Sequence, residues 1–194
     1  ANESINHAIL KAKDMGYETH VFAWQKGDVG EKTADFFYPI SIGDKEKVLE
    51  VCKKIKPVAI VSITSDFAVR TVNYVARDLG LTCNSEKTDL YARDKYKMRN
   101  AFKEAGIPTP WYIQVDKFFS MDDVRDVKYP LIVKPIDSWS SKGVTRVDSQ
   151  GRLLNAIDRA IEESYEGKAI IEGFMEGPEY SCECISFAGK HHLL

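Results

Sequence analysis

From residue 3 to residue 80 the apolar residues keep changing period, from helical spacing to near-continuous runs and back. That alternation restricts the chain to folds in which helices and strands follow one another, and it predicts a parallel sheet with crossover helices. SINHAILKAKDMG sets Ile5, Ala8, Ile9 and Ala12 on one helical stripe and stops at Gly16, whose missing Cβ permits a left-handed cap. YETHVFAW reads as a strand, a polar Gly-containing loop follows, and DFFYPI gives a second short strand. DKEKVLEVCKKIK is a helix begun by Asp44, with Val48, Val51, Cys52 and Ile55 turned inward. VAIVSI is then an uninterrupted apolar run that predicts a buried parallel strand. It passes through TSD into FAVRTVNYVARDLG, a helix with Val69, Val72, Val75, Ala76 and Leu79 on its core face. Such a chain ordinarily opens on an apolar strand and a tight turn. Here a helix comes almost at once, so either the first strand lies outside the sequence or the domain begins unusually, and no glycine fingerprint for a dinucleotide is visible.

The pattern changes after Leu81. SEKTDLYARDKYKMRNAFKEAGIPTP is helical and charged, with Asp94 as a cap and Gly106, Pro108 and Pro110 ending it. WYIQV and PLIVKP read as strands, IDSWSSKGV as a loop and turn, SQGRLLNAIDRAIEESY as a helix and KAIIEGFM as a strand; EYSCECISFAGKHHLL is a hairpin. That order suggests an α+β layer. The fold class is therefore α/β, with a Rossmann-like domain over residues 1–85 and a second, α+β domain over 86–194.

Charge and composition exclude several functions. Lys and Arg number 27 against 29 Asp and Glu, a net charge of −2 without a basic run, which argues against duplex nucleic acid as a partner. No stretch reaches the roughly 18 apolar residues of a membrane span, and the opening ANESINHAILKAK is too polar for a signal peptide, so no membrane partner and a cytoplasmic location are expected. Cys52 and Cys83 are expected as buried, reduced thiols. Cys182 and Cys184 share a strand face near His191 and His192, but their spacing is not that of a usual metal site.

Chemistry concentrates in YPLIVKPIDSWSSKGV. A buried strand carries Lys134 to its end, where the ammonium can reach a cleft, and backbone N–H groups from Ser138 to Gly143 can cradle phosphate oxygens. Taken alone, the segment, which is not a Walker sequence, reads rather as a surface hairpin with a solvated lysine. Lys95 stands at a helix start in ARDKYKMRNAFKEAGIPTP. In IIEGFMEGPEYS, Glu172 and Glu179 flank a connection with exposed backbone groups and the apolar pair Phe174 and Met175. A purine nucleoside needs an apolar slot, backbone donors and acceptors at its edge, and a carboxylate for the ribose, and this stretch offers each.

DKYKMRNAFKEAGIPTP, YPLIVKP, DSWSSKGV and IIEGFMEGPEYS, in that order, resemble the ATP-grasp superfamily. The similarity is greatest to the branch with the carbamoyl-phosphate synthase large subunit, carboxyaminoimidazole ribonucleotide synthase and amino-acid ligases. VSITSDFAVRTVNYVARDLGLTCNS resembles that branch's N-terminal Rossmann-like, or pre-ATP-grasp, domain. The resemblance implies that residues 86–194 are the N-terminal portion of an incomplete ATP-grasp domain. It implies that Lys95 and Lys134 hold ATP phosphates, that Ser140, Ser141, Lys142 and Gly143 form a mobile phosphate-covering loop, that Glu172, Phe174 and Met175 meet adenine, and that Glu179 binds ribose. The implied reaction is ADP-forming ligation of a small carboxylate, activated as an acylphosphate, to an amine or thiol. Asp66 is a candidate for the substrate's amine, although a plain helix N-cap explains it better.

The loop departs from the family's pattern in being Ser-rich and carrying Trp139. The family's Mg²⁺ ligands and catalytic basic residue are expected beyond Leu194, with no metal ligand inside this sequence. Homodimers are frequent in the branch. Two other readings stay open: a non-catalytic, regulatory nucleotide-binding module, and a dinucleotide oxidoreductase built on the Rossmann-like half.

Overall fold

The computed structural model describes residues 2–63 and 65–194, and the chain divides into two compact units, Ala1–Asp94 and Lys95–Leu194. In the first unit, side chains set the helix starts. Asn2 accepts the Ile5 N–H to open α1 (Glu3–Asp14), and Asp44 accepts the Lys47 N–H to open α3 (Lys45–Ile55). Between them β1 (His20–Phe22) pairs in parallel with β2 (Phe36–Tyr38). The polar segment between these strands, read from sequence as a loop, contains a short helix α2 (Val29–Thr33); Glu31 stabilises its start by accepting the N–H groups of Lys26, Gly27 and Asp28. Helices α4 (Asp66–Asp78) and α5 (Glu86–Arg93) complete the unit. Val48 and Cys52 of α3 and Val75 of α4 form its core, with Phe22, Ile60 and Leu79 packed against them.

Three expectations are corrected here. The strand expected over YETHVFAW is limited to His20–Phe22. The run VAIVSI, residues 58–63, is no strand: Val58 and Val61 are 77% and 74% exposed, and only Ile60 reaches the core. A strand is held by ladders to neighbours, and among the described residues of this unit β1 and β2 pair only with each other. Cys83 is half-buried rather than buried, whereas Cys52 is buried and both thiols are free. The cap expected at Asp94 and the helix start expected at Lys95 are where the structure has them, between two helices. Asp94 leaves helical geometry (φ −97°, ψ 105°), so α5 ends there, and α6 (Lys95–Glu104) opens the second unit.

Buried polar contacts tie α4 to α5. Asn73, 2% exposed, donates to the Asp89 carboxylate and accepts the Asn84 N–H, while Arg77 reaches Asp89 at 2.9 Å and the Asn84 carbonyl at 3.1 Å.

The second unit is built on a four-stranded antiparallel sheet. Its members are β3 (Tyr112–Asp116), β4 (Leu131–Pro135), β5 (Thr145–Val147) and β6 (Lys168–Gly173), in the order β3-β6-β4-β5. The short β5 directly follows IDSWSSKGV, the segment read from sequence as a loop and turn. Because side chains alternate across a strand, the register sorts them on to two faces. Val115, Leu131, Val133, Val147, Ala169 and Ile171 form one face, and α7 (Leu153–Glu162) covers it with Leu153, Ala156, Ile157 and Ala160. Tyr112, Ile132, Arg146 and Glu172 stand across from one another on the opposite face, with Lys134 opposite Ile170. The chain ends in a hairpin of β7 (Cys184–Phe187) and β8 (Lys190–Leu193), as its sequence predicts.

Candidate functional site

The face of the sheet turned away from α7 carries the charged residues. Glu172 lies on β6, the strand between β3 and β4, and is 4% exposed. Burying a carboxylate is costly unless charge and hydrogen bonds compensate it. Two cations do so: the Lys134 ammonium donates to Oε2 at 2.7 Å, and Arg99 donates from Nε to Oε1 at 2.8 Å and from Nη2 to Oε2 at 3.2 Å. Burial alone pushes the Glu172 carboxyl up; the hydrogen bonds from Arg99 and Lys134 outweigh it and hold the group below the usual glutamate value. Glu172 is therefore a charged acceptor at neutral pH.

Lys95, the first residue of α6, is stitched to the exit of β4. Its backbone N–H donates to the Ile136 carbonyl at 2.9 Å and its ammonium to the Ser138 carbonyl at 2.5 Å. The structure thus brings Lys95 to the root of the loop that follows Lys134. Asp137 anchors that root by accepting from Ser164 Oγ and from the N–H groups of Tyr165 and Glu166, and Trp139 stacks on Tyr165 at 5.5 Å.

Ser140 and Ser141 both adopt left-handed backbone, with φ 56° and 57°, and Gly143 follows at 68°. Only Gly143 is fitted to that geometry by lacking a Cβ; one added there would lie 2.9 Å from Pro135 Cγ and 3.0 Å from Glu163 Cβ. The expected phosphate cradle is partly used up by the loop itself, because the Lys142 N–H donates to the Trp139 carbonyl and the Val144 N–H to that of Ser141. The Lys142 side chain is exposed.

Beyond Glu172, the backbone N–H groups of Gly173 and Phe174 are engaged by the carbonyls of Trp111 (2.8 Å) and Pro130 (3.1 Å). Among the described residues the N–H of Met175 has no protein acceptor, so it is the first open donor after β6. Arg146 lies over the Phe174 ring at 4.4 Å. Glu179 is exposed on the irregular segment before β7 and has no ion pair among the described residues. Asp66 belongs to the first unit, exposed at the first position of α4; Ser65, not Asp66, is the N-cap, accepting the Ala68 N–H at 3.2 Å.

Sequence reasoning missed Arg99, which was read only as part of a charged helix. Its signal was its place one turn after Lys95 on the same helical face. In the hairpin, Ser186 and His191 share a hydrogen bond of 2.8 Å. Among the described residues no three His, Cys, Asp or Glu side chains come together, there or elsewhere. No described helix is long and apolar enough to cross a membrane.

The sheet, the two lysines and the glutamate stand in a segment with known relatives. The sequence pattern of the ATP-grasp domain matches residues 92–194. This chain belongs to the ATP-grasp family. A D-alanine–D-alanine ligase from Hydrogenovibrio crunogenus is 35% identical over 92 residues, 47% of this chain and 29% of that ligase. In three dimensions, an L-amino acid ligase from Bacillus licheniformis superposes with a TM-score of 0.78 at 22% identity, covering 97% of this chain and 46% of its own. The biotin carboxylase domain of Hydrogenobacter thermophilus 2-oxoglutarate carboxylase, solved with MgADP, ADP and bicarbonate, superposes at 0.75 with 18% identity, over 91% of this chain and 43% of that domain's chain. At such identities these two show a shared ATP-grasp fold. The chain spans less than half the length of each of these three proteins.

The donor set suits a nucleoside triphosphate. It combines ammonium groups at Lys95 and Lys134, a left-handed Ser-Ser loop ending in glycine, an apolar ring at Phe174 and an open backbone donor at Met175. Mg²⁺ bound to the phosphates would supply further charge neutralisation, but the described residues do not by themselves form a cage for it.

Proposed function

We propose that this ATP-grasp chain grips ATP for an ADP-forming ligase that joins a small carboxylate to an amine. One observation carries the reading: β4 and β6 set Lys134 and Glu172 against each other at 2.7 Å on the polar sheet face, beside the loop whose root Lys95 holds. Adenine enters along the end of β6, with Met175 donating its N–H and Phe174 forming an apolar wall. Glu179 takes the ribose hydroxyls. Lys95 and Lys134 meet the phosphates, and Ser140 to Gly143 cover them.

In the reaction the substrate carboxylate oxygen attacks the γ-phosphorus, the bond from phosphorus to the bridging oxygen breaks, and ADP leaves with that electron pair. The amine then attacks the carbonyl carbon of the acylphosphate, loses a proton and expels phosphate. Negative charge moves on to the leaving diphosphate in the first step, and fixed ammonium groups stabilise it without having to reorganise. A covering loop excludes water that would hydrolyse the acylphosphate. Asp66 is assigned, on this reading, to the substrate's ammonium group.

Calorimetric titration of the intact protein with a non-hydrolysable ATP analogue and Mg²⁺, with NAD⁺ as control, tests the reading. Saturable analogue binding that disappears in Lys134→Ala, followed by ADP release on screening amino acids, is the expected result. Preference for NAD⁺, or no analogue binding, refutes it.

A further inference from the structure

Glu172 has more cationic partners than a single carboxylate needs. Lys134 uses one of its three donors, whereas Arg99 presents a planar fork to both oxygens. The side chains of Arg99, Lys134 and Glu172 are 15%, 17% and 5% exposed, so solvent screens the cluster weakly. If Lys134 were the sole counter-ion, turning it toward a phosphate would strand a buried carboxylate, and the ammonium would be trapped where it is. A second cation removes that conflict.

Arg99 is well placed to be the permanent partner. It rides on α6, whose next residue, Asn100, accepts a hydrogen bond from Tyr112 on β3 at 2.8 Å, and Tyr112 stands directly opposite Glu172 in the ladder. Tyr96, one helical turn before Asn100, packs edge-on against the same Tyr112 ring. Helix, tyrosine and carboxylate are thus fixed to one another, while Lys134 is attached through a flexible stem by one hydrogen bond.

We propose that Arg99 is a positioning residue: it is the resident counter-ion of Glu172, and by balancing that carboxylate it frees the Lys134 ammonium to turn on to a bound nucleotide. This rests on the nucleotide reading of the site. Arg99 touches no reacting atom in it and acts through Lys134 and Glu172.

The test is a set of dissociation constants for a non-hydrolysable ATP analogue, measured calorimetrically on the intact wild-type protein, Arg99→Met, Arg99→Lys and Arg99→Met/Glu172→Gln. Folding of each variant is checked by circular dichroism. Arg99→Met should bind about tenfold or more weakly, because Lys134 is then held by an otherwise uncompensated carboxylate. Arg99→Lys, which keeps the charge but loses the fork that engages both oxygens, should bind more weakly than wild type and more tightly than Arg99→Met. The double variant should bind better than Arg99→Met, since neutralising residue 172 releases the lysine; a purely structural arginine predicts the opposite order. Should Arg99→Met fail to fold, the milder Arg99→Gln takes its place in both single and double forms. Wild-type binding that Arg99→Met leaves unchanged, or a double variant no better than the single, overturns the role of Arg99 alone. Absence of binding by the wild type overturns the nucleotide reading and the inference with it.

Discussion

Lys134, Glu172 and Glu179 illustrate how differently three charged residues depend on their surroundings. Lys134→Ala should slow turnover by on the order of 2 to 4 kcal/mol in activation free energy, because a fixed cation is lost where charge develops. Thermal stability should fall less, since Arg99 still pairs with Glu172; steady-state kinetics beside a melting curve separate the two effects, and an unaltered kcat would remove Lys134 from the phosphate site. Glu179 is exposed and makes no ion pair among the described residues, so Glu179→Ala should raise KM for ATP more than it lowers kcat. An unchanged KM places the ribose elsewhere. Strand ends are where chains present charge to ligands. The structure has Lys134 and Glu172 on adjacent strands, and that both strands run into connections was legible in the sequence. Arg99 was not, because nothing local distinguishes a solvated helical arginine from one that reaches a carboxylate on a strand 73 residues away.

At the scale of elements, packing decides what a local pattern becomes. That α7 is a helix was read from its sequence, and Ile157, fully buried against the sheet, should cost about 2 to 5 kcal/mol on truncation to alanine in a urea titration. Gly143→Ala forces a Cβ on to Pro135 and Glu163 at φ 68° and should cost about 1 to 3 kcal/mol in the same assay; full retention of the urea midpoint would mean that the loop relaxes freely. VAIVSI went the other way. Its composition suits a buried strand, but hydrogen-bonded neighbours make a strand, and no property of a largely apolar six-residue run states whether neighbours are present. The helix boundary at Asp94 was legible from its capping aspartate, whereas the bond that the Lys95 N–H makes there, to the Ile136 carbonyl 41 residues away, was not.

For the whole molecule, acid should be the more damaging direction of pH. Glu172 is held low by Arg99 and Lys134 against the opposing effect of burial, Asp35 by the Lys13 ammonium and the hydroxyl and N–H of Thr19, and Asp44 by Lys47. A carboxyl whose folded value lies below its unfolded one adds stability that is present above the unfolded value, about 4, and is lost as pH falls toward the folded value. Urea midpoints should therefore hold steady from neutrality to about pH 5 and decline below it. Glu172→Gln should flatten part of that decline, and an identical acid limb in the variant would show that the buried cluster contributes nothing to it.

Strand β6 places Ile171 under α7 and Glu172 among cations, one residue apart on opposite faces. A slip of one position in its pairing would exchange them, driving a carboxylate into hydrocarbon and an isoleucine between an arginine and a lysine. Misregistered sheets are thus penalised on both sides at once, so the charge cluster also acts as a proofreader of the strand pairing on which it stands.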